Sequence, residues 1–154
     1  MNPVKSFVAF CIFILICSYG FAQSQDAAVR LTVEKMFEAM RSSDTILLKQ
    51  IVASDAILQT VVSTSSTATD IRLQSVASFI EAVGKGKPGD ADERIRFEAV
   101  HIDGSLASVW TSYRFYYKGN FSHCGVNSFQ LVLKEGVWKI QHIIDTRRKD
   151  NCIW

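Results

Sequence analysis

The chain lacks a strong charge of either sign. Seventeen basic and 15 acidic side chains leave a formal net charge of +2 across 154 residues. Such a balance gives no electrostatic basis for nucleic-acid binding. The one basic run, Arg147-Arg148-Lys149, is too short for a phosphate track and reads as a solvated strand end. Metal-binding spacings are missing too: there is no CxxC and no clustered Cys/His pattern, so no metal site is expected. The only phosphate-loop candidate is Gly84-Lys85-Gly86-Lys87-Pro88-Gly89. It lies between a helical and an extended pattern, the reverse of the strand-to-helix order that a phosphate loop requires. No nucleotide motif or cofactor attachment site remains, and no cofactor is expected. Repeats and linkers are also absent, which leaves a single domain.

Charge is scarcest at the start, where Lys5 is the only charged side chain before Asp26. The stretch from Ser6 to Ile16 is almost wholly apolar, and Tyr19-Gly20-Phe21-Ala22 offers small residues at two alternate positions. This is the layout of a secretory signal peptide, with cleavage expected after Ala22. An uncleaved anchor is the alternative, although the apolar run is short for a membrane span. Ile16 before Cys17 argues against a lipid anchor. Residues 23–154 then form one exported domain, periplasmic or secreted, of 132 residues and net charge +1. No stable membrane association is expected after cleavage.

Two cysteines remain, Cys124 and Cys152, separated by 28 residues. Export favours a disulfide between them; two free thiols, or a reactive Cys124 beside His123, are the alternatives. Adjacent strand residues face opposite ways, which argues against joint action of His123 and Cys124 on one substrate.

What is abundant is β pattern. From Ser105 to Arg148, three runs rich in aromatic and β-branched residues are separated by Lys118-Gly119-Asn120 and Lys134-Glu135-Gly136. That predicts an antiparallel meander. A preceding strand, 95–102, ends at the turn signal Asp103-Gly104. Three strands this apolar need a cover, and the first half of the chain supplies one. Val29, Val33, Met36, Phe37 and Met40 form a helical stripe within 24–42. A short helix follows over 45–51, capped by Ser43 or Asp44. A strand is expected over 56–62, a polar loop over 63–69, and a third helix over 71–83 capped by Asp70. Helices grouped early and strands grouped late predict an α+β fold rather than βαβ units.

In this order, and in the segments Ala107–Phe115, Ser122–Val126, Gly136-Val137-Trp138-Lys139-Ile140 and Asp145-Thr146-Arg147-Arg148, the chain resembles the nuclear transport factor 2-like superfamily. The resemblance is to its SnoaL-like and lumazine-binding-like branch. It implies a cone-shaped, strongly bent antiparallel sheet wrapped over N-terminal helices. The superfamily includes isomerases, dehydratases, polyketide cyclases, transport adaptors and exported proteins without assigned activity. Its enzymes place Asp, His and Tyr inside the cone, and its members often pair through the outer sheet face. No complete catalytic set transfers to this chain, and fold alone licenses no reaction.

Period-two facing places Tyr113, His123, Asn127 and His142 together on the concave side if no bulge intervenes. His123 is the first candidate, as a base or hydrogen-bonding group near neutral pH. A structural histidine bonded to a backbone carbonyl or to Asp145 is the competing reading. Tyr113 would serve as acid and Asp145 as orienter, while Asn127, His142 and Trp110 would contribute to a ligand pocket. Trp110 also reads as sheet packing. The leading functional reading is an exported domain that binds a small, partly apolar ligand or a protein partner, without catalysis. The alternative is a SnoaL-like or ketosteroid-isomerase-like enzyme for proton transfer or dehydration. A homodimer through the sheet, using Trp110, Arg114 and Tyr116, is the third expectation.

Overall fold

A computed structural model describes residues 25–63 and 68–153. The expected leader, 1–22, lies outside the described residues. Helix α1 spans 25–42, and its stripe is the cover anticipated from spacing: Val29, Val33, Met36 and Phe37 are buried, with Met40 packed alongside. Arg30 pairs with Asp26 one turn back at 2.6 Å. Gln25 accepts a hydrogen bond from the Trp138 indole at 2.8 Å, tying the helix start to the last strand. Ser43 adopts a left-handed φ of 57°, and the chain re-enters helix at α2, Thr45–Ile51. The Asp44 side chain caps α2 by accepting from the Ile46 and Leu47 amides.

Six strands follow: β1 Val52–Ser63, β2 Thr69–Gln74, β3 Ala91–Asp103, β4 Leu106–Tyr117, β5 Asn120–Lys134 and β6 Val137–Thr146. Helix α3, Val76–Lys85, separates β2 from β3. The strands form one curved, unclosed sheet in the order β2-β1-β6-β5-β4-β3. The meander β3-β4-β5-β6 is antiparallel as expected, and its turns carry left-handed Gly104, Gly119 and Gly136. The sheet is not wholly antiparallel, because β1 runs parallel to β6. Helices α1 and α3 pack their apolar residues against the inner face, where Phe37 meets Phe129 edge-on at 6.0 Å.

Three expectations are corrected. The segment around Asp70 is not a helix start. Thr69–Gln74 pairs with β1, and α3 begins at Val76, capped by Ser75 accepting from the Ser78 amide at 3.1 Å. All six β2 residues are exposed, so no burial alternation marked them as a strand. Strands β1 and β3 each start four residues earlier than expected, at Val52 and Ala91. Finally, bulges shift facing. Ser122 is an extra residue in β5 opposite Phe115/Tyr116, and Gln141 an extra residue in β6 opposite Gln130/Leu131.

The expected disulfide is present: Cys124 and Cys152 are bonded, with a Cα–Cα distance of 5.8 Å. It fastens the tail beyond β6 to the middle of the meander. Among the described residues no helix is long and apolar enough to cross a membrane.

Candidate functional site

The curved sheet leaves a cavity of about 90 Å³ between its inner face and the helices. One wall is apolar: Met36, Phe37 and Met40 from α1, and Phe79 from α3. The sheet wall is mostly polar, with Thr60 on β1, Glu93 on β3, Tyr113 on β4, His123 and Asn127 on β5, Asp145 on β6 and Arg147 just beyond, interrupted by the apolar Leu58 and Ile143.

Register explains how these residues meet. Tyr113 pairs across strands with Gly125, and Asn127 pairs with Asp145. A side chain at position 125 would strike the Thr146 carbonyl oxygen and the Tyr113 ring, so glycine lets that ring lie over β5 and reach β6. The Tyr113 hydroxyl then donates to the Thr146 carbonyl at 2.9 Å, with Asp145 Oδ2 sharing the proton at 3.2 Å. Asp145 also accepts from Thr60 Oγ1 at 2.6 Å and from Arg147 Nε at 2.8 Å. On the other side, Asn127 Nδ2 donates to Glu93 Oε1 at 2.8 Å. Two carboxyl groups therefore flank Asn127, one its hydrogen-bond acceptor and the other its cross-strand neighbour.

The electrostatics follow from crowding. Glu93 keeps some exposed surface as a residue, but its carboxyl group is enclosed by protein, and the enclosure governs its titration. Burial raises its pKa to about 7; the Asp145 charge adds to the rise, and the Asn127 bond and Arg147 work against it. Burial also raises the Tyr113 pKa, reinforced by the charges of Asp145 and Glu93, so its hydroxyl keeps its proton. Burial lowers the His123 pKa, helped by Arg147 and opposed by Asp145, which keeps the ring neutral near pH 7. Burial works against the Arg147 charge, but its bond to and attraction toward Asp145 outweigh this and raise its pKa.

Of the residues singled out in sequence, Tyr113, His123, Asn127 and Asp145 line this cavity. Their roles differ from expectation. Asp145 bonds Tyr113, Thr60 and Arg147, so it is not the orienter of His123. The His123 Nδ1 faces the Ser122 hydroxyl at 3.0 Å, not a backbone carbonyl or Asp145. Its ring stands edge-on to Tyr113 and tilted against Phe115. His142 is absent from the lining, because the Gln141 bulge turns it to the outer face, where Nε2 meets Gln59 Oε1 at 2.8 Å. Trp110 is also outside the lining, 49% exposed on the outer face of β4. Sequence reasoning missed Glu93 entirely. The available signal was its two-residue spacing from Ile95 and Phe97, which face the same core. Among the described residues, no cluster of three or more His, Cys, Asp or Glu is arranged to hold a metal ion.

No protein-family profile and no curated protein matches the sequence. Solved structures do. One similar structure is a nuclear transport factor 2-like protein of unknown function from Silicibacter pomeroyi DSS-3. It has 19% identity and a TM-score of 0.65, covering 82% of this chain and 98% of that one. Another, from Shewanella baltica OS155, carries the same description, with 15% identity, a TM-score of 0.63, and coverage of 84% and 98%. A domain of unknown function with a cystatin-like fold from Nostoc punctiforme PCC 73102 has 13% identity and a TM-score of 0.65, covering 83% and 80%. Likeness at these identities extends to the fold and not to the SnoaL-like branch. The six-stranded curved sheet, its helical cover and these structural relatives agree on one conclusion: the chain has the nuclear transport factor 2-like fold.

Proposed function

We propose that this chain binds a small molecule in the cavity between sheet and helices. The observation that carries this reading is the convergence of Glu93, Tyr113, Asn127, Asp145 and Arg147 on a space whose opposite wall is Met36, Phe37, Met40 and Phe79. Burying polar groups is unfavourable unless they find partners, and a fold needing only a core would fill this space with apolar side chains. By volume the cavity takes roughly six to nine water-sized spheres, which limits the ligand to a comparably small molecule. Fragment screening by NMR tests the reading: bound fragments should shift the Asn127 side-chain amide and the Tyr113 ring. Fragments that bind only outside the cavity would reject it.

A second reading rests on Glu93. A carboxyl held near neutrality can give or take a proton at physiological pH, and the protonated Tyr113 hydroxyl lies in the same cavity. Proton abstraction next to a carbonyl would then run through Glu93, with His123 kept neutral at the wall. Deuterium exchange into a small ketone, slowed about a hundredfold or more by Glu93→Gln, would support it. Exchange unaffected by that change would dismiss it.

Export and pairing complete the proposal. The Cys124–Cys152 bridge supports an oxidising compartment. The outer-face aromatics Trp110 and Tyr116 support a homodimer through the sheet, which a monomer mass in sedimentation that persists as concentration rises would rule out.

A further inference from the structure

When Glu93 is ionised, the cavity's charges do not balance. It is lined by two carboxyl groups, Glu93 and Asp145, and by one guanidinium, Arg147. Arg147 is already committed to Asp145 at 2.8 Å. The hydrogen-bond partner of Glu93 is the neutral Asn127 amide. His123, the remaining basic group in the lining, is not a counter-ion, since its neighbourhood disfavours its charged form. Among the described residues, the sheet wall therefore lacks a cation opposite Glu93.

The opposite wall suits a cation with an apolar body. Phe37 and Phe79 present aromatic rings, and Met36 and Met40 present polarizable thioethers. Among the described residues no three His, Cys, Asp or Glu come together as metal ligands, so the geometry favours an organic cation over a metal ion.

Resting on the small-molecule reading above, we infer that the ligand class is a small organic ammonium, its charged nitrogen seated beside Glu93 and Asn127 and its hydrocarbon part against Met36, Phe37, Met40 and Phe79. The nitrogen would donate to the Glu93 oxygen atoms, and the Asn127 carbonyl oxygen offers a further acceptor. Asp145, already bonded to Thr60, Tyr113 and Arg147, would act at longer range. The cavity volume favours amines of about six to nine heavy atoms or fewer.

The test is a matched panel on the full chain: propylammonium and benzylammonium, the neutral propanol and benzyl alcohol, and propanoate and benzoate. Titration calorimetry gives affinity, and the Asn127 side-chain amide resonance reports the place of binding. The ammonium members should bind at least tenfold more tightly than the alcohols, and the carboxylates most weakly. Glu93→Gln keeps the shape and an acceptor for Asn127, and should remove that tenfold preference. If alcohols or carboxylates match or exceed the ammonium compounds while shifting Asn127, the charge class is wrong and the cavity reading stands. If no member of the panel shifts Asn127 in the wild-type chain, both are overturned. The wild-type comparison holds even where the variant fails to fold.

Discussion

Asn127 donates its side-chain amide to Glu93 across 34 residues of chain, at 2.8 Å, and pairs across strands with Asp145. It thereby holds apart two carboxyl groups that would otherwise repel directly. The cost appears in Glu93, whose pKa rises from 4.5 to about 7, first through burial. Because the folded state holds this proton more tightly than the unfolded state, folding stability should fall as pH rises from about 4.5 to about 7. His123 acts in the opposite sense: its lowered pKa removes stability as pH falls below its ordinary value of 6.5. The difference between wild type and Glu93→Gln isolates Glu93. The variant should gain on wild type by up to about 3 kcal/mol between pH 4.5 and 8. Urea unfolding across that range checks it, and parallel profiles would mean that Glu93 titrates normally.

Thr111 offers a simpler test of polar burial. It is fully buried on β4, and its hydroxyl has no hydrogen-bond partner among the described residues. Thr111→Val retains the shape and removes the orphaned group. Stability should rise by about 1 kcal/mol. A fall of the urea midpoint instead would show that the hydroxyl is satisfied in solution.

Gly125 is where the sheet admits Tyr113. A Cβ there would lie 1.8 Å from the Thr146 carbonyl oxygen and 2.9 Å from the Tyr113 ring. The first is backbone and cannot rotate away. Gly125→Ala should therefore cost about 2–3 kcal/mol and displace the Tyr113 hydroxyl from Thr146 and Asp145. Chemical denaturation gives the cost, and the Tyr113 ring resonances give the displacement. A substitution tolerated within about 0.5 kcal/mol would contradict the close approach.

The meander was legible because its strands alternate and its turns carry glycine at left-handed positions such as Gly119 and Gly136. Tyr113, His123 and Asn127 were legible for the same reason, since strand period two holds between bulges. His142 was misplaced because Gln141 adds one residue to β6, and one residue reverses every facing beyond it. Phe121 similarly leaves the His123 side at Ser122 and meets Tyr116 instead, at 5.9 Å. No local signal marks such bulges in a single sequence. Strand β2 was hidden because an edge strand exposed on both faces has no apolar alternation, and Asp70 imitated a helix cap. Glu93 was lost because the strand was expected to begin only at 95, whereas β3 begins at Ala91. Its role depends on contacts with Asn127, 34 positions away, which no local pattern encodes.

The Cys124–Cys152 bridge closes a 28-residue separation, and removing it should cost about 3–4 kcal/mol through the entropy regained by the unfolded chain. Its effect on the site should be small. Cys124 also exchanges both backbone hydrogen bonds with Arg148, at 2.8 and 2.9 Å, so the strand end beside Arg147 is held without the sulfur atoms. Cys152→Ser should thus lower the urea midpoint and steepen the slope, because the unfolded chain without the cross-link exposes more surface, while the Asn127 amide and Tyr113 ring resonances stay in place. If those resonances move, the bridge positions the cavity wall as well as stabilising the fold. If the midpoint does not change, the bridge is not formed in the native protein.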